Sequence, residues 1–402
     1  MKINTDTPVL ALGGRENTVA LVRNLGRIGV TVRVSGLPGC AAMDSRFCRE
    51  RLPLPENEKP GESWRRLLLS PDRHELDGHL LFACCDDSLE FITENQEALR
   101  ARYILEDFSA ELRRDLLDKK KTLELAAEAN VPAPRFWMVD DAAALRAIKD
   151  EISFPVMIKP LKTHSFAGTF GRKLFIIQSD IEEVVEKYEL ARRHGHEVMV
   201  AEMIPGPDDL LCSYYTFIDE AGEHLYHYTK RVLRRWPVNR GGAVYHITEW
   251  LPEAAELGQR FFDSIGWRGT ANIEFKRDVR DGKLKIIEVN SRFTAAHRLV
   301  VDSGAPIDRM IYCKLTGQRV EGFDHYEQNL RMWYPLKDFL AYRELSAMGK
   351  LTFLGWLKSI LFRKKVLPDL DLFDPGPTIV GVMYAAAGPM RRLAKKRKLK
   401  DT

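Results

Sequence analysis

The sequence predicts a mixed α/β and α+β protein, with a parallel α/β portion first, a strand-rich central region next and a helical extension last. Three observations predict it. The chain opens on a strand, a glycine turn, a helix and a second strand. Apolar strands separated by polar turns recur between about 154 and 290, and beyond about 325 the pattern turns aromatic and helical. The 402 residues are 45% hydrophobic and 29% charged, an ordinary globular balance with room for two or three domains.

In the first portion, VLALGG (9–14) reads as an apolar strand running into paired glycines. NTVALVRNLGRIG (17–29) places Val19, Val22, Leu25 and Ile28 on one helical stripe, and VTVRVSG (30–36) is the next strand. HLLFACC (79–85) is a further strand, ending at Asp86-Asp87-Ser88. Open parallel sheets present ligands at the carboxyl ends of their strands, so Asp86 and Asp87 are candidate substrate contacts, with acidic helix caps as the alternative. The Gly13-Gly14-Arg15 turn is not GxGxxG, which argues against a dinucleotide-dependent oxidoreductase.

A helix over DKKKTLELAAEA (118–129) ends at Asn130 before VPAPRF, and the domain boundary is placed just ahead of it. FPVMIKP (154–160) and RKLFIIQ (172–178) follow as strands flanking a loop with Gly168 and Gly171, and EVMVAEMIPGPDD (197–209) leads into more strand. The domains expected are 1–115, 116–325 with lobes of about 116–200 and 201–325, and 326–402.

The strongest pattern is in two strands, ANIEFKRD (271–278) and KLKIIEVN (283–290), joined near Asp281-Gly282. Strand residues alternate in facing, so Glu288, Asn290 and Arg292 share a face. A three-residue loop, Arg280-Asp281-Gly282, with glycine in the left-handed place, would set Glu274 opposite Glu288. A two-residue turn would not. Two opposed carboxylates repel unless a divalent cation lies between them, and two Glu with one Asn are hard oxygen ligands suited to magnesium. A solvated face neutralised by Lys276 and Lys285 is the bland alternative. Arg292 would reach the same face and suits a phosphate oxygen.

With these residues in view, the stretch from about 116 to 320 resembles the ATP-grasp ligases, particularly their carboxylate–amine ligase branch, which includes D-aspartate ligase-like enzymes. GTANIEFKRDVRDGKLKIIEVNSRF (269–293) is similar to that family's metal-binding signature, with Ser291 where proline is common. The resemblance implies a Rossmann-like N-terminal domain, a two-lobed ATP-grasp domain, and ATP with Mg2+, or Mn2+ in its place. It implies metal ligands at Glu274, Glu288 and Asn290, and phosphate contacts from Lys159 and from Lys119, with Lys120 and Lys121 as rivals for the second. HSFAGTFGR (164–172) would be the mobile loop carrying Gly168 and Gly171. Glu202, Met203 and Ile204 would hold adenine by their backbone, and Asp208 a ribose hydroxyl. Among Lys230, Arg231, Arg234, Arg235 and Arg240, Arg234 is favoured for the acyl phosphate or substrate carboxylate, alongside Arg292. His297 and Arg298 would line the acceptor pocket or form a surface helix start.

The implied reaction joins a small-molecule carboxylate to an amine through an acyl phosphate, releasing ADP and phosphate. A non-catalytic nucleotide-binding scaffold is the alternative. RRLAKKRKLKDT (391–402) holds seven Lys or Arg and one Asp, a local +6 within a net charge of +4, so the body is mildly acidic and no nucleic-acid partner is expected. The six cysteines include no CxxC pair and the start lacks a signal-peptide pattern, so a reducing cytoplasm without structural zinc is expected. LTFLGWLKSILFRKK (351–365) and the basic tail read either as a helical cap with a solvated tail or as a peripheral contact with an anionic membrane, Trp356 and Phe362 inserting. The resemblance also allows a homodimer, since dimers are common in similar enzymes, and leaves the oligomeric state open.

Overall fold

The computed structural model describes residues 3–161, 163–172, 174–323 and 325–383, so the basic tail lies outside the described residues. The chain forms two compact units, each drawn from separated stretches.

The first unit takes the chain up to Ala110, Arg292–Trp333, and the segment from Lys364 onward. Strands β1 (Val9–Leu12), β2 (Val32–Gly36), β3 (Cys48–Pro53) and β4 (Leu80–Ala83) form a parallel sheet in the order β3-β2-β1-β4. All four residues of β1 are buried, as expected of a central parallel strand. The turn after it demands glycine: Gly14 has φ +85, and a Cβ there would lie 2.0 Å from Thr18 Oγ1. Helix Glu16–Arg27 follows directly. The edge strand β3, CRERLP, escaped the sequence reading because it is polar and largely exposed, leaving no apolar period to detect.

Helix Glu16–Arg27 also carries Arg23, which is buried within this unit. Its Nε donates to Asp374 Oδ2 at 2.8 Å, and its Nη2 donates to the carbonyls of Asp374 and Asp369 at 2.8 and 3.0 Å. Ser45 Oγ and the Arg46 amide donate to the same carboxylate, each at 2.7 Å.

The second unit comprises Glu111–Ser291 and Tyr334–Arg363. Helix Lys119–Glu128 is capped by Asp118 and ends before Asn130, which sits at φ +54. Strands β5 (Phe136–Trp137), β6 (Val156–Pro160), β7 (Phe175–Ile177) and β8 (Val198–Glu202) form an antiparallel sheet ordered β5-β8-β6-β7. Helix Ile181–Arg193 packs Val184, Val185 and Tyr188 into the core of that layer. Strands β9 (Leu211–Ile218), β10 (Tyr228–Trp236), β11 (Gly242–Thr248), β12 (Gly269–Arg277) and β13 (Leu284–Asn290) run antiparallel in the order β13-β12-β9-β10-β11. Helix Pro252–Ser264 buries Phe261 and Phe262 against them, in a core that includes Trp267 and Phe275. Helices Pro335–Ala347 and Phe353–Ile360 complete this unit, and the short strands β14 (Arg331–Trp333) and β15 (Lys365–Val366) pair in parallel within the first.

The expected glycine loop at 164–172 is corrected by the structure: Thr163–Phe170 is a helix. Phe166 and Phe170, one turn apart, both set their rings against Phe175, at 5.3 and 5.2 Å. Gly168 is exposed within the helix, and Gly171 follows its end at φ +66. No helix among the described residues is long and apolar enough to cross a membrane.

Replacing Asp374 with Ala should strand the buried Arg23 guanidinium and lower stability by about 3–5 kcal/mol. Denaturant melts of the two proteins would measure the loss, and Asp374→Asn should lose less because it keeps one acceptor oxygen.

Candidate functional site

In the β12–β13 hairpin, Glu274 stands directly opposite Glu288, and Asn272 opposite Asn290. The route to this register differs from the three-residue loop expected. Asp278 and Lys283 close a four-residue turn by the bond from the Asp278 amide to the Lys283 carbonyl, 2.9 Å, with Gly282 at φ +72. A bulge then intervenes: Phe275 faces Ile286 while Glu274 faces Glu288, leaving Ile287 as the extra residue. Turn and bulge cancel.

A relay of amides orients Asn290. The buried Asn272 donates its Nδ2 to the Tyr214 carbonyl at 3.1 Å, which turns its Oδ1 toward Asn290 Nδ2 at 3.2 Å. The Asn290 nitrogen is thereby engaged, which fixes the direction of its oxygen. No group of three or more His, Cys, Asp or Glu gathers among the described residues. Two carboxylates and one oriented amide oxygen are nevertheless hard oxygen donors of the kind that would suit a magnesium ion.

Three lysines attend these carboxylates. Lys159, at the end of β6, is half-buried, and burial pushes its ammonium down to about 8. The Glu288 charge opposes that fall and the Lys119 charge deepens it. Lys119 Nζ reaches the Pro160 carbonyl at 3.4 Å, whereas Lys120 and Lys121 turn to Glu124 at 3.4 and 3.2 Å. Of the three consecutive lysines, Lys119 is therefore the one beside Lys159. Lys230 is buried on β10; Ser213 pairs with both Lys230 and Glu274 in register, and the Lys230 ammonium donates to Ser213 Oγ at 3.1 Å. Burial lowers the Lys230 pKa, and the charge of Glu274 counters it.

The segment after β8 supplies a second feature. The amides of Glu202 and Met203 are spent on the carbonyls of Arg135 and Pro155, at 2.9 and 3.0 Å. The Glu202 carboxylate is buried and held by Arg135, so its side chain belongs to the scaffold. Ile204 is buried just beyond. Asp208 accepts the Asn239 amide at 2.9 Å through Oδ2, while its buried Oδ1 accepts no hydrogen bond and lies 3.6 Å from Arg235. A buried carboxylate oxygen without a donor suits an incoming hydroxyl.

Arg234 lies elsewhere. Strict alternation from Lys230 would put it on the same face, but the β10–β11 register slips at Leu233. Its fork grips Asp338 at 2.6 and 3.0 Å, Nη1 donates to Ser359 Oγ at 2.9 Å, and the guanidinium stacks over Tyr245 at 4.6 Å. Every arm of that cation is committed to packing. In the first unit, Arg292 Nε donates to Asp86 Oδ1 at 2.7 Å, with Asp86 in the first turn of helix Asp86–Glu94 and Cys85 as its cap. His297 is buried against Asp308 at 3.1 Å, and Arg298 pairs with Asp302 one turn on, also at 3.1 Å.

No family model matches the chain. It is 25% identical over 291 residues to the D-aspartate ligase of Enterococcus faecium, a match covering 68% of each chain. It is 28% identical over 185 residues to the D-alanine–D-alanine ligase of Francisella tularensis subsp. novicida, covering 44% of this chain and 56% of that one. The chain thus spans little more than half the length of the latter. Among solved structures, the ADP complex of PurK, N5-carboxyaminoimidazole ribonucleotide synthetase, has a TM-score of 0.61 at 13% identity, covering 81% of this chain and 80% of that one. The chain is thus similar in sequence to D-aspartate and D-alanine–D-alanine ligases and similar in fold to PurK.

Two features of this site lay beyond sequence reasoning. Lys230 was one cation among five in a basic run, and only the strand register separates it from its neighbours. Asn272 resembles any buried strand amide until its partner across the hairpin is known.

The three-charge cluster is measurable. Lysine-directed NMR should find Lys159 titrating near pH 8. Glu288→Gln should lower that value by removing attraction, and Lys119→Met should raise it by removing repulsion.

Proposed function

We propose that the chain is an ATP-dependent ligase that activates a small-molecule carboxylate as an acyl phosphate and joins it to an amine, releasing ADP and phosphate. The observation that carries this reading is the opposed Glu274–Glu288 pair with Lys159, Lys119 and Lys230 around it. Glu274, Glu288 and Asn290 would hold Mg2+ or Mn2+. Such an ion, when bound, offsets phosphate charge during in-line transfer.

The chain's own residues do the rest. Lys159 and Lys119 fix positive charge where α- and β-phosphate oxygens would lie, and Lys230 takes over from Arg234 the role of a cation beside the transferred group. Asp208 Oδ1 would accept a ribose hydroxyl, and Ile204 would meet the base edge, since the Met203 amide is already bonded to Pro155. Gly168 and Gly171, on and after a helix, would act by allowing that helix to approach phosphate rather than as loop residues. Arg292 keeps its phosphate role in the proposal on its sequence position alone, two residues beyond Asn290.

A panel of carboxylic acids and amines scored for ADP and phosphate release tests the reading. One acid–amine pair should stimulate release, and Glu288→Gln should cut turnover by on the order of 10²-fold or more, the scale of losing one fixed transition-state contact. Formation of AMP and pyrophosphate would overturn it, and tight nucleotide binding with no turnover on any pair would favour the scaffold. Asn272→Ala should weaken metal-dependent activity by about 10- to 100-fold, as losses of ligand-orienting partners do. The KM for ATP should rise as pH passes 8, where Lys159 loses its proton. Lys159→Arg, charged throughout, should remove that rise.

A further inference from the structure

The helical part of the second unit ends in a surface that the ligase reading does not use. Helix Phe353–Ile360 turns one side inward. Trp356 Nε1 donates to Asp338 at 2.9 Å and its ring stacks on Tyr342 at 5.2 Å; Ser359 accepts from Arg234, and Ile360 is buried. Trp356 is therefore part of the packing and is not free to insert elsewhere. The other side carries Leu354, Lys358 and Leu361, spaced to form one stripe. Leu354 is 72% exposed, and Phe362, just past the helix end, is 99% exposed. Phe362 also holds φ +51, a left-handed backbone that bulky residues rarely adopt. A strained position that directs an aromatic ring wholly into water contributes nothing to the packing of this chain, which points to a use outside it.

The charges around these side chains identify their partner. Residues 349–367 contain five Lys or Arg (350, 358, 363, 364 and 365) and no Asp or Glu. Lys364 is taken up by Glu327 at 2.5 Å. On helix Pro335–Ala347, Asp338 is bound to Arg234, and Glu344 accepts the Val238 amide at 3.1 Å and lies 3.8 Å from Arg240. Lys358 sits between the two leucines of the stripe, and Arg363 directly follows Phe362. Protein interfaces exclude lysine from their cores, and a second copy of this chain would bring the same positive charges against itself. Apolar side chains interleaved with cations match a surface that is anionic outside and apolar beneath. That describes a phospholipid leaflet.

We propose that helix Phe353–Ile360 and the corner Leu361-Phe362-Arg363 dock the chain peripherally on anionic lipid. Leu354, Leu361 and Phe362 enter the interface, while Lys350, Lys358 and Arg363 meet the headgroups. This goes beyond the ligase reading and does not depend on it.

Cosedimentation of the full chain with vesicles tests the proposal, comparing phosphatidylcholine alone with phosphatidylcholine containing phosphatidylglycerol. The expected result is binding to the mixed vesicles only. The double variant Leu354→Ser/Phe362→Asn should reduce it by about tenfold or more, since two inserted apolar side chains are lost. Asn tolerates the left-handed backbone, so thermal melting and any ATP turnover should stay unchanged. Wild-type protein that remains in the supernatant would overturn the proposal. So would a double variant that binds as well as wild type, which would assign the attachment to the basic tail. A wild-type dimer that the double variant converts to monomer would also overturn it, making this face a contact between copies.

Discussion

Glu274 and Glu288 face each other across neighbouring strands, and their repulsion has to be answered by positive charge. The fold supplies part of that charge from three directions: Lys159 from the end of one sheet, Lys119 from the first turn of a helix, and Lys230 from within the second sheet. Lys159 and Lys230 each carry a penalty for leaving water that a nearby carboxylate relieves, Glu288 for the first and Glu274 for the second. Neither set is comfortable alone. Together they make a face whose charge is nearly balanced, and on the proposed reading it would receive a polyanion with its counter-ion.

The sheet separates this charged face from the packing that supports it. Lys230 and Arg234 lie on the same strand and carry the same charge, yet one stands in register with the Ser213–Glu274 row and the other is locked to Asp338 and Ser359. The slip at Leu233 makes the difference. A cation that must act on a ligand cannot also be bidentate to a buried aspartate, because its donors are already satisfied.

Much of this was legible in the sequence wherever a short-range period governs structure. The βαβ opening, the helix capped by Asp118 and the three central strands follow from apolar spacing and turn residues. The pairing of Glu274 with Glu288 was legible too, although for a reason that proved incomplete: a longer turn and a compensating bulge at Ile287 produce the same alignment. Bulges leave no mark in composition, so the displacement of Arg234 was invisible. The sequence suggests a loop at Thr163–Phe170 because Gly168 within it and Gly171 just after it outweigh the Phe166–Phe170 spacing, whose meaning depends on Phe175 being near in space. The unpartnered Oδ1 of Asp208 and the amide relay through Asn272 are properties of three-dimensional neighbours alone.

The buried contact between Arg23 and Asp374 joins residues 351 positions apart. During synthesis the first four strands and their helix leave the ribosome long before that counter-charge exists. The early sheet must then either keep one side open to water around a solvated guanidinium or collapse around an unneutralised cation. Nascent chains of this protein would accordingly spend most of translation with an incomplete first unit, which is the interval in which holdase chaperones and proteases compete for them.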